Sequence, residues 1–289
     1  LVEEALHEKK IAEIAADIVK HEEVKLILIA GPSSSGKTTF AKRLSVQLQA
    51  SKAKPIVIGM DDYFLNRDRT PRKEDGDFDF ESIHSIDLEH LNHQLSQLLA
   101  GEQIELPHYD FTRGIRRPSN NYVKMEKDNV IIMEGIHGLN DELTASIPQN
   151  RKAKIYISAL NQLNIDNHNR IPTTDCRLLR RIIRDHQYRG YSAEETLIRW
   201  KDVREGEEKN IFPYQENADY MFNSSLTFEL GVLKKHAWKL LQGVPSTSSA
   251  YTEANRLLRI LAHCRDIADA LVPYNSIIRE FTNGSIFRY

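Results

Sequence analysis

The stretch Gly31-Pro32-Ser33-Ser34-Ser35-Gly36-Lys37-Thr38 fits the phosphate-loop pattern G-x-x-x-x-G-K-[ST]. Phosphate binding needs these residue types because the turn must present consecutive backbone N–H groups to phosphate oxygens. Glycine is required where a Cβ would intrude. We expect Lys37 to reach the outer phosphates and the Thr38 hydroxyl to bind Mg²⁺. We also assign Thr39 to the ATP-binding residues. The pattern thus predicts a site for ATP and Mg²⁺.

An acidic pair follows the segment Pro55 to Met60, which we predict to be a strand. A kinase that phosphorylates an alcohol uses a carboxylate to accept the hydroxyl proton and to hold the oxygen in line. We assign this role to Asp61. Asp62, the next residue, is interpreted as a solvated turn carboxylate or a helix cap.

The apolar segment Asn129 to Met133 also ends in an acid, Glu134. An acid at the end of a buried strand beside a phosphate loop usually acts on Mg²⁺ and its waters. The predicted metal site therefore consists of Thr38, Glu134 and Asp61.

A predicted helix from Thr174 to Tyr188 carries four arginines, namely Arg177, Arg180, Arg181 and Arg184. At the helical repeat they fall within a stripe about 100° wide, opposite an apolar face. Like charges on one stripe repel by a few tenths of a kcal/mol per close pair, so a partner of opposite charge is expected. Triphosphate suits this role because arginine matches phosphate oxygens. We predict that Arg177 and Arg181 bind ATP and that Arg181 and Arg184 act with Lys37 in catalysis. A solvated surface helix is the alternative.

The acceptor site is predicted from aromatic residues that lie beside polar ones. His108-Tyr109-Asp110-Phe111 suits a planar ring, although a packed edge strand would show the same pattern. Arg189-Gly190, after the arginine helix, is interpreted as the hinge of a lid. The predicted substrate residues are Asp61, Tyr63, Tyr109, Phe111 and Arg189.

Short apolar segments alternate with helical periodicity along the chain, which predicts an α/β fold with a mainly parallel five-stranded sheet covered by helices on both faces. In such sheets ligands bind outside the carboxyl ends of the strands. The predicted strands are 24–30, 55–60, 129–133, 154–159 and 218–226. The predicted helices are 1–20, 38–49, 87–99, 174–188, 228–242 and 251–271.

We divide the chain into an N-terminal helix, a kinase domain and a helical C-terminal extension, at residues 1–22, 23–228 and 229–289, with a lid at about 160–200. A start at Leu1 rather than Met suggests a piece of a longer protein. The 28% of charged residues indicates a soluble globular chain. A net charge of -2 disfavours a nucleic-acid partner. Two distant cysteines, no long apolar run and no secretory signal predict a cytoplasmic protein that is not membrane-bound.

Six segments, in this order, resemble those of uridine kinases and their phosphoribulokinase-like relatives. They are GPSSSGKTT, MDDYF, FDFESIHSID, LPHYDF, VIIMEGIHGL and DCRLLRRIIRDHQYRG. The resemblance covers about residues 24–226 and implies a P-loop NTPase three-layer fold with a lid. It also implies transfer of the ATP γ-phosphate to a 5′-hydroxyl. By motif, Asp61 matches the catalytic aspartate, Tyr109 the substrate-side tyrosine, and Arg181, Arg184 and Arg189 the lid arginines.

The chain departs from the family pattern on the nucleoside side. Around Glu81 and Ser82 it lacks the His-Pro-Asp that supplies a carboxylate to ribose, and Gly114 replaces a base-contacting histidine. Tyr191 and Arg199 replace an arginine and a glutamine. The chain thus resembles a divergent uridine-kinase-like branch whose longer members carry a threonyl-tRNA-synthetase-like N-terminal region.

Three functional hypotheses remain open at this point. The first is a Mg²⁺- and ATP-dependent kinase of a nucleoside-like small molecule. The second is a kinase of another small molecule, such as a phosphorylated sugar or a pantothenate-like acid. The third is a regulatory or RNA-associated module that binds ATP without catalysis. A homo-oligomer is compatible with each hypothesis.

Overall fold

The computed structural model describes residues 1–74 and 76–288. Residue 289, the last of the predicted extension, is therefore outside the described residues. The strands are β1 Leu26–Ala30, β2 Lys54–Gly59, β3 Gln103–Asp110, β4 Ile115–Lys124, β5 Asn129–Glu134, β6 Lys152–Ser158 and β7 Tyr220–Asn223. The α-helices are α1 Val2–Lys20, α2 Lys37–Ala50, α3 Leu88–Leu99, α4 Thr173–Arg189, α5 Ala193–Asn210, α6 Glu229–Gln242, α7 Tyr251–Ala262 and α8 Arg279–Thr282.

A parallel sheet with the strand order β2-β5-β1-β6-β7 forms the centre of the structure. The central strand β1 is buried along its whole length, and its side chains alternate between two cores. Ile27 and Ile29 pack in the core that includes α1, α2, α4, α6 and α7. Leu26 and Leu28 pack in the core that includes α3 and β3. The prediction of a five-stranded parallel sheet between two helical layers is confirmed.

Helix α1 packs on α2 through its apolar face and through buried charges. Arg43 of α2 is almost fully buried, with its guanidinium 3.5 Å from a Glu4 carboxylate oxygen and 2.7 Å from Glu8. Ile11 and Ile14 lie in the core beside this network. The α1 segment is therefore part of the same packed body as the sheet.

The structure corrects the sequence analysis in two connecting segments. The segment around His108 and Tyr109, for which a packed edge strand was the alternative interpretation, is half of an antiparallel hairpin, because β3 pairs with β4. Strand β4 was not predicted because it is mostly polar and contains Pro118. Helix α5 was also not predicted. Its charged residues and Gly206 obscure the apolar period, although Ser192 and Glu195 form a capping box that marks its start.

The last predicted helix, 251–271, is shorter in the structure, since α7 ends at Ala262. The chain after it leaves helical geometry to pack against α6, where the Ile267 N–H donates to the Gly231 carbonyl at 3.0 Å. Gly231 permits this approach, because a Cβ there would stand 2.5 Å from the Arg265 carbonyl oxygen. Across residues 1–74 and 76–288, no helix is long and apolar enough to cross a bilayer.

We predict that Ile14→Ala lowers the free energy of unfolding by about 2–5 kcal/mol, because it leaves a cavity at a position that is 1% exposed. Leu6→Ala on the same helix is the matched control. Leu6 is 58% exposed, so its effect should stay within about 0.5 kcal/mol. Urea denaturation of both variants measures the difference, and equal effects would contradict the packing of α1 on the core.

Candidate active site

The phosphate loop joins β1 to α2, and two of its glycines are required by its shape. A Cβ on Gly31 would stand 2.1 Å from the Ile157 carbonyl oxygen. Gly36 has φ +86, in the left-handed region that other residues rarely adopt. The loop therefore turns tightly at the carboxyl end of the central strand and directs the start of α2 toward the cleft above the sheet.

Several backbone N–H groups at the start of α2 are left without an acceptor. Those of Gly36, Lys37 and Thr38 donate to no group within residues 1–74 and 76–288. Unpaired N–H groups at a helix N-terminus, together with the helix dipole, form an anion site. The loop thus fits a phosphate group on geometry as well as on sequence pattern.

The Lys37 ammonium group lies on the loop, where it donates to the carbonyls of Gly31 at 2.8 Å and Pro32 at 3.1 Å. Burial lowers the pKa of Lys37, while the nearby Glu134 carboxylate opposes this shift. Both bonds are to neutral acceptors. A phosphate oxygen would be a stronger partner for the ammonium group.

Thr38 and Glu134 meet as the sequence predicts for a magnesium site, with the Thr38 hydroxyl donating to Glu134 Oε1 at 2.9 Å. Burial raises the pKa of Glu134, and Lys37 opposes the shift. Within the described part of the chain no three His, Cys, Asp or Glu side chains form a metal cluster. Mg²⁺ needs few protein ligands because waters and substrate phosphates complete its shell. Thr38, Glu134 and Asp61 line one cleft, and their oxygen donors fit that ion.

Asp61 and Asp62 have different surroundings. Asp61 opens onto the water of the cleft, yet the protein packed around it raises its pKa, with the Lys37 charge opposing that effect. Asp62 accepts the Tyr109 N–H at 3.0 Å and lies 3.2 Å from His108 Nδ1. Asp62 therefore ties β3 to the turn after β2, whereas Asp61 faces the space beside the phosphate loop.

The arginine helix does not present all its guanidinium groups to the cleft. Arg177 is 1% exposed and forms a two-point ion pair with Glu207 of α5. Arg180 is fully buried and pairs with Glu229 of α6. For both arginines we expected phosphate groups as partners, whereas the structure pairs them with carboxylates of the protein. The prediction that Arg177 binds ATP is wrong, because its guanidinium group is buried and paired with Glu207. The error arose because α5, which supplies that partner, was not predicted.

The remaining arginines of this region line the cleft. They are Arg181, Arg184 and Arg189, and all three are near the buried carboxylate of Asp185, at 3.1, 3.1 and 3.4 Å. Arg181 also donates to the Ser33 hydroxyl at 2.6 Å. Burial lowers the pKa of Arg181 and Arg189. Asp185 holds the three guanidinium groups together beside the loop. They share the cleft with the Lys37 ammonium group and with the carboxylates of Asp61, Glu81, Glu134 and Glu207.

The residues predicted to bind the acceptor do not all lie at one site in the structure. Tyr63 is fully buried, with its hydroxyl donating to Gln94 Oε1 at 2.8 Å, so its prediction as a substrate residue is wrong. It follows the acidic turn in sequence, but its side chain points into the core beneath. Tyr109 is also buried, and its ring lies 5.6 Å from Phe64 and 5.0 Å from Phe111. Its hydroxyl has no partner among the described residues.

The cleft has a volume of about 350 Å³, and some of its lining was not predicted. Phe64, Phe80, Glu81 and His137 contribute to its walls. Burial raises the pKa of Glu81 and lowers that of His137 to about 4, so His137 is neutral at physiological pH. Their positions after strand ends and in the loop before α3 were the signals available in the sequence. A larger cavity, about 700 Å³, lies at the opposite end of the strands.

Comparison with known proteins gives relatives for most of the chain. The sequence model of the Phosphoribulokinase / Uridine kinase family matches residues 26–230. A uridine kinase of Ureaplasma parvum serovar 3 is 30% identical over 195 residues, which cover 67% of this chain and 85% of the relative. A uridine kinase of Halobacterium salinarum is 30% identical over 193 residues, covering 66% and 76%.

A solved structure also resembles this one in fold. It is described as a fructose transport system kinase from Silicibacter sp. TM1040, and it superposes with a TM-score of 0.50 at 19% sequence identity. The match covers 73% of this chain and 98% of that chain. The likeness supports the three-layer P-loop fold and carries no information on the acceptor.

The two kinds of arginine should respond differently to mutation. We predict that Arg177→Ala lowers the free energy of unfolding by about 3–5 kcal/mol, because it leaves the Glu207 carboxylate buried without its partner. Arg181→Ala should cost less stability and should mainly weaken MgATP binding, because Arg181 faces the cleft. Urea denaturation and calorimetric titration measure the two effects. A stable Arg177→Ala protein that cannot bind nucleotide would restore Arg177 to the phosphate site.

Proposed function

Because the chain belongs to the phosphoribulokinase / uridine kinase family, we propose that it transfers the γ-phosphate of ATP to a hydroxyl group of a small sugar-bearing molecule. The observation that carries the proposal is the content of one cleft. The cleft is bordered by Lys37 and Thr38, whose N–H groups are unpaired in the described residues, and by Asp61. The guanidinium groups of Arg181, Arg184 and Arg189 line it as well. A triphosphate and a hydroxyl can meet in such a site.

The donor half of the site follows from the loop. The N–H groups of Gly36, Lys37 and Thr38 would hold the inner phosphates, and Lys37 would leave the loop carbonyls for the outer ones. Thr38 and Glu134 would hold Mg²⁺, which when bound neutralises charge on the phosphates. The arginines of α4 would stabilise the charge on the γ-phosphoryl group as it moves.

Asp61 would position the acceptor hydroxyl and take its proton. In this reaction a bond forms between the acceptor oxygen and the γ-phosphorus, while the bond from that phosphorus to the bridging oxygen of ADP breaks. The raised pKa of Asp61 makes its carboxylate a better proton acceptor than an ordinary aspartate. The function requires it to be ionised, so turnover should fall on the acid side at a higher pH than an unperturbed aspartate would give.

The acceptor we favour is a nucleoside or a similar sugar. Phe64 and Phe80 provide aromatic surface within the cleft. Glu81 provides a carboxylate that would accept hydrogen bonds from sugar hydroxyl groups. Glu81 belongs to the segment, around Glu81 and Ser82, that lacks the His-Pro-Asp of the family pattern. These groups support a ring-bearing polyol.

A different small molecule is the second candidate, and the surroundings of Gly114 favour it. A Cβ at this position would stand 2.7 Å from Arg67 Nε, so Arg67 fills the space that a base-contacting histidine would need. Arg199 stacks on Tyr191 at 4.3 Å, away from the residues that line the cleft. The residues at these departures from the family pattern thus make contacts of their own, which supports an acceptor other than uridine.

A panel of acceptors tests the function and separates the candidates. The purified chain is mixed with MgATP and one acceptor at a time, and ADP release is measured above the rate without acceptor. The panel contains uridine, cytidine, phosphorylated sugars and a pantothenate-like acid. Stimulation by nucleosides supports the first candidate, and stimulation by the others alone supports the second. MgATP binding without turnover on any acceptor, combined with salt-sensitive RNA binding, would favour a regulatory module.

We predict that Asp61→Asn keeps MgATP binding and lowers turnover by about 10²–10⁴-fold, the usual contribution of a general base. Calorimetry measures the binding and ADP release with the active acceptor measures turnover. Asp62→Asn is the matched control, because an amide oxygen can still accept the Tyr109 N–H, and its turnover should remain much closer to that of the wild type. Unchanged turnover in Asp61→Asn would remove Asp61 from the mechanism.

A further inference from the structure

A segment of the C-terminal region, residues 276–283, lies across the start of the phosphate-binding helix. Ile277 and Phe281 in this segment are fully buried in the core. Ile277 Cγ2 is only 2.5 Å from the place where a Cβ on Gly36 would stand. We call residues 276–283 the tail segment. Its packing brings a distant part of the chain against the loop that the nucleotide must occupy.

A carboxylate of the tail segment binds the phosphate-binding helix directly. Glu280 Oε2 accepts the Thr39 backbone N–H at 3.1 Å and the Thr39 hydroxyl at 2.6 Å. Thr39 is in the first turn of α2, whose N-terminal N–H groups point toward bound anions. The two contacts occupy both donors of Thr39, the residue that directly follows the unpaired N–H groups of Lys37 and Thr38.

The opposite end of the loop is also occupied by a carboxylate. The Ser33 N–H donates to Glu207 Oε1 at 2.9 Å, and Glu207 is held by Arg177. Glu207 is neutralised by that ion pair and belongs to the α5 framework. Glu280 forms no ion pair among residues 1–74 and 76–288. The Lys37 ammonium group, the cation that the nucleotide needs, is the positive charge that interacts with it at longer range.

We propose that Glu280 is a built-in competitor of the donor nucleotide, and that the tail segment holds the phosphate loop in a self-occluded state. The proposal rests on the proposed function, since it assumes that the loop binds ATP. Thr39 cannot donate fully to Glu280 and to a phosphate at the same time. The Glu280 charge would also repel the triphosphate. Nucleotide binding must therefore displace this side chain.

The tail segment is also linked to the arginine helix. The Arg180 guanidinium lies 5.2 Å from the centre of the Phe281 ring, and the Tyr188 hydroxyl donates to Asn283 Oδ1 at 2.7 Å. Displacement of Glu280 would thus change the contacts of the tail segment with α4, which carries the cleft arginines. By linkage, any ligand or partner that draws the tail segment away must raise the affinity for nucleotide by the same factor by which nucleotide loosens the segment.

The test is the affinity for MgATP of the full chain carrying Glu280→Gln, measured by calorimetry. We expect binding about tenfold tighter than in the wild type or better, because one charge-assisted hydrogen bond no longer has to be broken. Glu280→Asp is the second variant. Its carboxylate is one methylene short of Thr39, so tighter binding is again expected, and the negative charge is kept should Glu280→Gln fail to fold.

Glu253→Gln is the matched control. Glu253 lies in the same C-terminal region but pairs with Arg256 at 2.6 Å, and its loss should leave the MgATP affinity unchanged. Wild-type binding that is abolished by Lys37→Ala supports nucleotide binding by the phosphate loop, which the proposed function requires, independently of Glu280. Equal or weaker binding in both Glu280 variants would overturn the competitor role alone. No binding by the wild type or by either Glu280 variant would overturn the proposed function together with it.

Discussion

The unpaired N–H groups at the start of α2 are the feature on which the rest of the site depends. A helix leaves its first N–H groups without internal acceptors, and a buried one without a partner is costly. This fold supplies carboxylates at the two ends of the loop, Glu207 at Ser33 and Glu280 at Thr39. It leaves Gly36 to Thr38 without acceptors in the described residues. Part of the loop therefore lacks hydrogen-bond acceptors when no ligand is bound, and a bound anion would supply them.

The arginines of α4 lie near that loop, and two of them are fixed by carboxylates of neighbouring helices. The buried pairs Arg177–Glu207 and Arg180–Glu229 fix α4 to α5 and α6, and both arginines also donate to loop carbonyls, those of Ser33 and Ser34. Breaking such a pair leaves an uncompensated buried charge. The first half of the arginine helix is thus a fixed attachment to the loop, and its second half, from Arg181 onward, supplies the charge that a phosphate can use.

The parts of the structure that depend on local pattern could be predicted from sequence. The phosphate loop, the five strands and the acids at the ends of β2 and β5 all follow from residue types within a few positions. The wrong predictions concern side chains whose surroundings are set by a segment that is distant in sequence. Arg177 looks like its neighbours Arg181 and Arg184 until Glu207 is placed beside it, and α5 has too weak an apolar period to be recognised. Tyr63 adjoins the acidic turn, but Gln94, 31 positions later, holds it in the core. Glu280 had no local signal, because its partner Thr39 is 241 positions away.

The same difference separates donor recognition from acceptor recognition. Donor recognition uses backbone N–H groups and one loop, so a short pattern is sufficient. An acceptor would contact side chains from several elements. Two positions in or next to the departures from the family pattern have partners of their own: Arg67 lies at Gly114, and Glu81 packs against α5 at Gly206. A single substitution toward the family pattern would therefore disturb the contacts that these residues now make. A histidine at position 114 would meet Arg67, and the left-handed φ of +68 there would strain its backbone.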